Sequence, residues 1–298
     1  MDELLTFIRQ MVNGIQVGSV YALVALGYTM VYGVVKLINF AHGDFIMVGS
    51  YMSLIAIPFL ISAGIPPYLS VIAAVVVCSL LGMLTEKLAY KPLRNSPRIT
   101  PLITAIAVSL LLQNLFLITF GSASKPYPAI ITQRIISFGP IDVSSVTIMT
   151  ILVSIVCMIA LYLFVNKTRL GKSVRALSED MGASMLMGIN VNHSISLTFA
   201  IGSALAAIAA VMYCSSYPLV SPFMGSMLGL KAFVAAVLGG IGIIPGAMLG
   251  GFLIGIVESL TKAYISSQLA DAVVFGILIL VLLVKPTGLL GRNLGEKV

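Results

Sequence analysis

Tryptophan is absent from these 298 residues, and only 9% of them are charged. A soluble globular domain carries about 25% charged residues, so a chain this poor in charge has too little polar surface to cover itself in water. A bilayer removes that need, and the mean hydropathy of +1.10 agrees. Without Trp, an aromatic belt at the membrane interface must come from the 11 Tyr and 13 Phe. Cysteine is scarce: Cys78, Cys157 and Cys214 each lie in an apolar run. Their number is odd and no CxxC spacing occurs, which argues against a disulfide framework or a zinc site and leaves small packing residues. Histidine occurs only at His42 and His193. HExxH, GxSxG and a complete P-loop are missing, so no catalytic constellation, metal site or cofactor is expected. Gly171, Lys172 and Ser173 resemble the end of a P-loop, but Asn166 stands where that pattern requires Gly, and a membrane helix precedes it instead of a strand. ATP hydrolysis is therefore not expected on this chain.

What is present is long, uncharged and apolar. Residues 10–35, 45–85, 99–124, 143–166, 181–230 and 232–257 contain no Asp, Glu, Lys or Arg. Each run reaches the roughly 20 residues a helix needs to cross the hydrocarbon. The runs are continuous and too long for barrel strands. Turn signals divide the longer ones: Ser62-Ala-Gly-Ile-Pro-Pro67, Ser215-Ser-Tyr-Pro-Leu-Val-Ser-Pro222 and Gly239-Gly-Ile-Gly-Ile-Ile-Pro-Gly246. The expected fold class is an all-α, polytopic transmembrane bundle of about 8–10 spans with broken or re-entrant helices. Spans are expected at 10–35, 45–61, 68–86, 99–120, 145–165, 194–214, 228–243, 247–264 and 265–284, the whole chain (1–298) forming one transmembrane domain. The opening MDELLTFIRQ begins with two acids, so the first run is expected to stay in the membrane as a span and not to be cleaved as a signal peptide.

The net charge of +7 falls in short gaps between the runs. Lys87, Lys91, Arg94 and Arg98 form one cluster, Lys167, Arg169, Lys172 and Arg175 a second, and Lys285, Arg292 and Lys297 the tail. The positive-inside rule places all three in the cytoplasm and the N-terminus outside. No basic stripe interleaves with exposed aromatics, so nucleic acid is not an expected partner. Gly239, Gly240, Gly242, Gly246 and Gly250 are expected to pack helices closely, and Gly246-Ala-Met-Leu-Gly250 has GxxxG spacing. Residues 76–86 and 248–258 are alike, apolar, Gly-bearing and ending in Glu86 and Glu258. The expected topology runs them in opposite directions, as an inverted repeat would.

Three groups of residues bear on chemistry. Leu37-Ile-Asn-Phe-Ala-His-Gly-Asp44 gathers Asn39, His42 and Asp44 in an apolar region. Two readings stand: an interfacial loop in which Asp44 caps the next helix, or a translocation pathway or gate, to which the amides Gln113 and Asn114 are candidates as well. The segment of about 168–189 reads as a short amphipathic helix. Arg175 and Glu179 stand four apart and are expected to pair, and Gly188 supplies a stop. Such a helix either lies on the membrane surface or docks in a partner's groove. Finally, Glu86, Lys231, Glu258, Lys262 and Asp271 are isolated charges near span ends, where long side chains snorkel.

At these residues the sequence resembles the permease subunit of bacterial branched-chain amino acid ABC importers, the LivH type. The resemblance rests on 37–44, on Arg175-Ala-Leu-Ser-Glu-Asp180 with Gly188-Ile-Asn190, on Gly229-Leu-Lys-Ala-Phe233, on Leu238-Gly-Gly-Ile-Gly242 with Pro245-Gly-Ala247, and on Lys285-Pro-Thr-Gly-Leu-Leu-Gly291. These stretches run in family order over nearly the whole chain. The resemblance implies a multi-pass protein of the bacterial inner membrane with a cytoplasmic C-terminus, working by alternating access. It implies a second, related permease subunit, two cytoplasmic ABC ATPase subunits and a periplasmic substrate-binding protein as partners. The ligand it implies is leucine, isoleucine or valine, with an amide or urea as the alternative, since permeases for those resemble this chain as well. It also turns segment 168–189 toward docking, with Arg175, Glu179, Asp180 and Gly188 as residues coupling to an ATPase. The alternatives are a carrier or channel without ATPases, which needs a membrane charge relay or filter, and a membrane-embedded enzyme, which needs clustered His and acids.

Overall fold

The protein is described here by a computed structural model covering residues 2–94, 96–97, 99–139 and 141–291; Arg98, Arg292 and Lys297, which entered the orientation argument, lie outside these residues. Its helices are α1 (Asp2–Val35), α2 (His42–Ser62), α3 (Ser70–Thr85), α4 (Ile99–Phe120), α5 (Ser145–Lys167), α6 (Arg169–Glu179), α7 (Met181–Leu186), α8 (Val191–Ser216), α9 (Met224–Gly239), α10 (Ile244–Tyr264) and α11 (Ala270–Val284). Seven helical stretches among the described residues are long and apolar enough to cross a membrane. The apolar helices α9 and α11 are shorter, at 16 and 15 residues. The bundle is all-α and polytopic, and each expected span is a helix.

Boundaries differ from the expectation for local reasons. The ninth span starts at Ala270 because a turn closes α10, with Ile265 N and Ser266 N both donating to Thr261 O. The seventh ends at Gly239 because Gly240 and Gly242 take φ of 105° and 96°, a region L side chains avoid. The third does not stop at Glu86. A π turn (Glu86–Tyr90) and a 3-10 turn (Lys91–Leu93) carry it on, so the continuous span is Pro67–Leu93. Strands are confined to two small antiparallel pairs: β1 (Lys125–Pro126) with β4 (Leu219–Val220), and β2 (Ile135–Phe138) with β3 (Ile141–Ser144).

The helices fall into two three-helix units, α1–α2–α3 and α8–α9–α10. Within each, the second and third helices form an antiparallel hairpin. Ser53 meets Ser70 and Phe45 meets Cys78 in the first; Lys231 meets Glu258 and Gly239 meets Gly246 in the second. The first helix of each unit packs on the third helix of the other. α1 runs antiparallel along α10, with Gly14 against Ile256, Gly18 against Phe252 and Ala22 against Gly251. α8 lies along α3, with Ser79 and Gly82 at residues 199–203 and Glu86 at Ser196. Residues 76–86 and 248–258 thus occupy matching places, and their two glutamates point to opposite ends of α8. α1 and α8 cross at Gly27 and Gly202 in the centre. Most of each is buried, whereas α4 and α5 present apolar side chains such as Leu111, Ile118, Leu152 and Leu163 outward.

One end of the bundle collects the described members of the three basic clusters: it comprises the close of α1, residues 86–94, the α6–α7 segment, the α9–α10 turn and residues 285–291. There Leu289 N donates to Leu238 O and Leu290 N to Gly239 O. The other end carries both strand pairs. On that side Tyr127 bonds Ser53 at 2.6 Å, and burial pushes its phenol up to about 12.

Candidate functional site

The polar stretch 37–44 enters the bundle. Every residue from Ala41 to Tyr51 is buried, so α2 begins in the interior. Glycines make room for it. A Cβ at Gly43 would lie 2.6 Å from the Gly225 carbonyl oxygen of α9, and one at Gly27 would collide with the His42 ring. His42 packs edge-on to Tyr28 at 4.6 Å between ring centres, and its ring donates to the Val24 carbonyl. Asn39 Oδ1 accepts from Tyr90 Oη at 2.7 Å. Asp44 Oδ1 accepts from Gln113 Nε2 at 2.9 Å, and that amide also reaches Ser109 and Ser226, each at 3.1 Å. Residues of α2, α4, α9 and the π turn therefore meet around one buried helix start. Among the described residues, His42 Nε2 and Asn39 Nδ2 have no hydrogen-bond partner there.

Asp44 is not the helix cap. α2 opens at His42 behind Ala41, which makes no side-chain capping bond, and Asp44 sits in the first turn facing α4. Asn114 does not join Gln113. One residue turns a helix by about 100°, which places Asn114 on the exposed face, where its Nδ2 donates to Leu110 O of its own helix.

Of the isolated charges, Glu86, Lys231 and Glu258 are buried, whereas Lys262 and Asp271 are half-exposed. Glu258, 2% exposed, accepts from Lys231 at 2.8 Å, Lys262 at 2.5 Å and Tyr21 at 2.6 Å. Lys231 also pairs with Asp271 at 2.6 Å. At the basic end Glu86 pairs with Arg94 and accepts from Ser196 at 2.6 Å, while Arg94 donates to Asn192 at 2.7 Å. Both carboxylates face inward because each has a cation and a hydroxyl within reach, which offsets their desolvation. Lys231→Met leaves Asp271 without its cation and Glu258 with one fewer. The expected result is a loss of about 3–5 kcal/mol, read as an earlier thermal transition of the detergent-solubilised protein.

The segment of about 168–189 is two helices instead of one. Thr168 Oγ1 accepts from Gly171 N at 2.9 Å and caps α6; Asp180 Oδ1 accepts from Ala183 N at 2.9 Å and caps α7. Gly188, at φ 79°, ends α7, with Ile189 N returning to Ser184 O. Among the described residues no ion pair joins Arg175 to Glu179. Arg175 instead makes a long contact to Asn166 Oδ1, at 3.4 Å, and both side chains line a cavity of about 620 Å3 with Tyr162, Pro245 and Leu290. α6 buries Val174 and Leu177 against the bundle, whereas Met185, Leu186 and Met187 of α7 and its close are exposed. Of the five glycines in and around the α9–α10 turn, Gly239, Gly240, Gly246 and Gly250 lie where two backbones touch. A Cβ at Gly239 would strike the Gly246 carbonyl, one at Gly250 the Ala235 carbonyl, and Gly240 abuts Thr287 and Gly291; Gly242 supplies a second left-handed turn residue.

Sequence reasoning passed over a further polar group. Gln10, Asn13 and Gln16 share one face of α1 and, with Tyr217, Glu258, Ser259 and Lys262, line a cavity of about 270 Å3 at the end away from the basic clusters. These amides sit inside an uncharged run, so a search by charge does not see them; their i, i+3, i+6 spacing was the available signal.

Apolar helices around buried, mutually bonded ionisable groups, with a broken helix start inside, define a multi-pass membrane protein with a polar interior. Comparison with known proteins narrows this. The family described as branched-chain amino acid transport system, permease component, matches residues 10–283, and the chain belongs to it. It is 45% identical over 306 residues to the high-affinity branched-chain amino acid transport system permease protein LivH of Escherichia coli K12, covering 100% of this chain and 99% of that protein. It is 45% identical over 307 residues to BraD of Pseudomonas aeruginosa, covering 100% of both. The probable LivH of Methanocaldococcus jannaschii is 32% identical over 289 residues, covering 92% and 89%.

Proposed function

We propose that this chain is the membrane-spanning permease of an ATP-driven inner-membrane importer for leucine, isoleucine and valine. The observation that carries the reading is the end-to-end likeness to permease proteins of branched-chain amino acid transport systems. The whole chain acts as one transmembrane unit. Its basic end, including the residues after α11, faces the cytoplasm. Two ATPase subunits dock there on α6–α7, a related permease completes the membrane part, and a periplasmic binding protein delivers the amino acid at the other end. Arg175, Glu179, Asp180 and Gly188 shape the docking segment. ATP-driven movement of that segment rocks the helices between inward and outward openings. The buried start of α2, with Asn39, His42, Asp44 and Gln113, is the gate: its unpartnered nitrogens gain partners only when the packing around Gly27 and Gly43 changes. Asn114 is retained as a pathway residue only if the partner permease covers its face of α4.

Purification of the detergent-solubilised chain with mass spectrometry of bound proteins tests this. Two ATPase subunits and a second permease are expected. A chain that purifies alone and moves solute without ATP would favour a carrier or channel.

A further inference from the structure

The polar cavity between α1 and α10 has no part in the reading above. Its lining combines an acid, a base and amides. Glu258 is buried at its floor, Lys262 stands half-exposed at its rim, and Gln10, Asn13 and Ser259 project beside them. Gln10 is tied to Ser259 at 3.0 Å, and Gln16 to Ser216 at 2.7 Å and Thr147 at 2.6 Å. Asn13 makes no side-chain hydrogen bond among the described residues and is exposed. Amides on a helix face turned to hydrocarbon are costly, so this face of α1 meets water or a polar ligand. Val17 and Gly255 supply an apolar patch, and Tyr217 closes one side. The volume of about 270 Å3 lies just below the usual range for small-ligand pockets, about 300–1,000 Å3.

The charges decide which ligand fits. Lys231 and Lys262 balance Glu258 and Asp271, so the cluster is neutral. Of the two members held by a single bridge, Lys262 and Asp271, Lys262 is the one that lines the cavity, and its side chain, 48% exposed, is free to swing. When it swings away, Glu258 keeps Lys231 and Tyr21 and offers Oε1 to a new cation, while the ammonium of Lys262 and the Asn13 amide are free for an anion. A ligand bearing one ammonium and one carboxylate on the same carbon replaces the Lys262–Glu258 bridge without changing the net charge. A cationic or anionic amino acid leaves an unbalanced charge in a partly buried site, which is penalised.

We propose that this cavity is a subsite for the zwitterionic head of a neutral α-amino acid, entered from the end away from the basic clusters. The inference rests on the importer reading for its biological sense but is tested separately from it. Val17→Cys, which lines the cavity apart from the groups assigned to the head, is introduced into the assembled, reconstituted transporter and labelled with a charged thiol reagent, with the unsubstituted chain as background. Leucine at about ten times its Kd is expected to slow labelling about 10-fold. Isoamylamine and 4-methylpentanoate, each lacking one charge of the head, are expected to leave the rate unchanged, as are lysine and aspartate. Adding Lys262→Gln, which leaves Lys231 facing both Glu258 and Asp271, is expected to abolish protection while the solubilised protein stays a monodisperse peak. Equal labelling with and without leucine, or equal protection by 4-methylpentanoate, would overturn the subsite. Absence of ATP-driven uptake by the same preparation would count against the importer reading, leaving the labelling result to decide the subsite.

Discussion

Replacing Leu186 and Met187 together by Asp is expected to strip the ATPase subunits from the purified permease and to abolish ATP-driven uptake. Leu186 is 91% and Met187 82% exposed, next to Met185, on a one-and-a-half-turn helix capped by Asp180 and closed by Gly188. Among the described residues these exposed apolar groups, on a capped element at the basic end, are covered by nothing; the side chains that seat the segment on the bundle are Val174, Leu177 and Ser184. Each anchor of such an interface is worth about 2 kcal/mol, or about 30-fold in association, and an introduced carboxylate adds a desolvation penalty. The protein should still reach the membrane and melt at the parent temperature. Copurification of the ATPases with the double variant at parent levels would move the docking site elsewhere, the 86–94 turn being the next element at that end.

Gly251→Leu is expected to prevent assembly of the bundle altogether. A Cβ there would lie 2.5 Å from both Cα and N of Ala22, so the obstacle is backbone, which cannot rotate away. α1 and α10 pack through Gly14, Gly18, Gly251 and Gly255 over most of the length of α10, and small residues at such a seam allow backbone approach in a membrane. Forcing the helices apart breaks the Tyr21–Glu258 bond as well. Overpacking of a core costs about 1–3 kcal/mol where side chains adjust, and here they cannot, so the loss should exceed that range. Gly276→Leu on α11 is the control, since nothing lies within 4 Å of a Cβ at that position. The expected readout is a monodisperse solubilised peak for Gly276→Leu and aggregate for Gly251→Leu; a monodisperse peak of parent stability for both would show that the seam is not tightly packed.

Much of this architecture is readable from the chain because a bilayer punishes charge so heavily. Uncharged runs became helices wherever they were long enough, and Gly-Ile-Gly at 240–242 marked the α9–α10 turn through its positive φ. The 37–44 stretch announced itself as polar residues among apolar ones. What it did not disclose was depth: that α2 starts inside the bundle follows from Gly27 on the preceding helix and from Gly225 and Gly229 on α9, far away in sequence, clearing space for it. Pairings were the least legible feature. Arg175 and Glu179 have ideal helical spacing yet are not paired, whereas Lys231 and Asp271, forty residues apart, are bridged. Adjacent amides Gln113 and Asn114 looked equivalent, and the helical turn between them sends one inward and the other out. The likeness of 76–86 to 248–258 was faint as sequence and plain as geometry, because the two helices share a place in the swapped units and not a set of contacts that would fix the same side chains.

The most direct measurement is leucine uptake by proteoliposomes holding the chain with whatever proteins copurify, with ATP supplied at the basic end and an amino-acid-binding protein at the other. Uptake that requires ATP, stops when ATP is replaced by a non-hydrolysable analogue and is carried out by no preparation lacking the copurified ATPases is the predicted result. Uptake by the chain alone, driven by an ion gradient and indifferent to ATP, would contradict it.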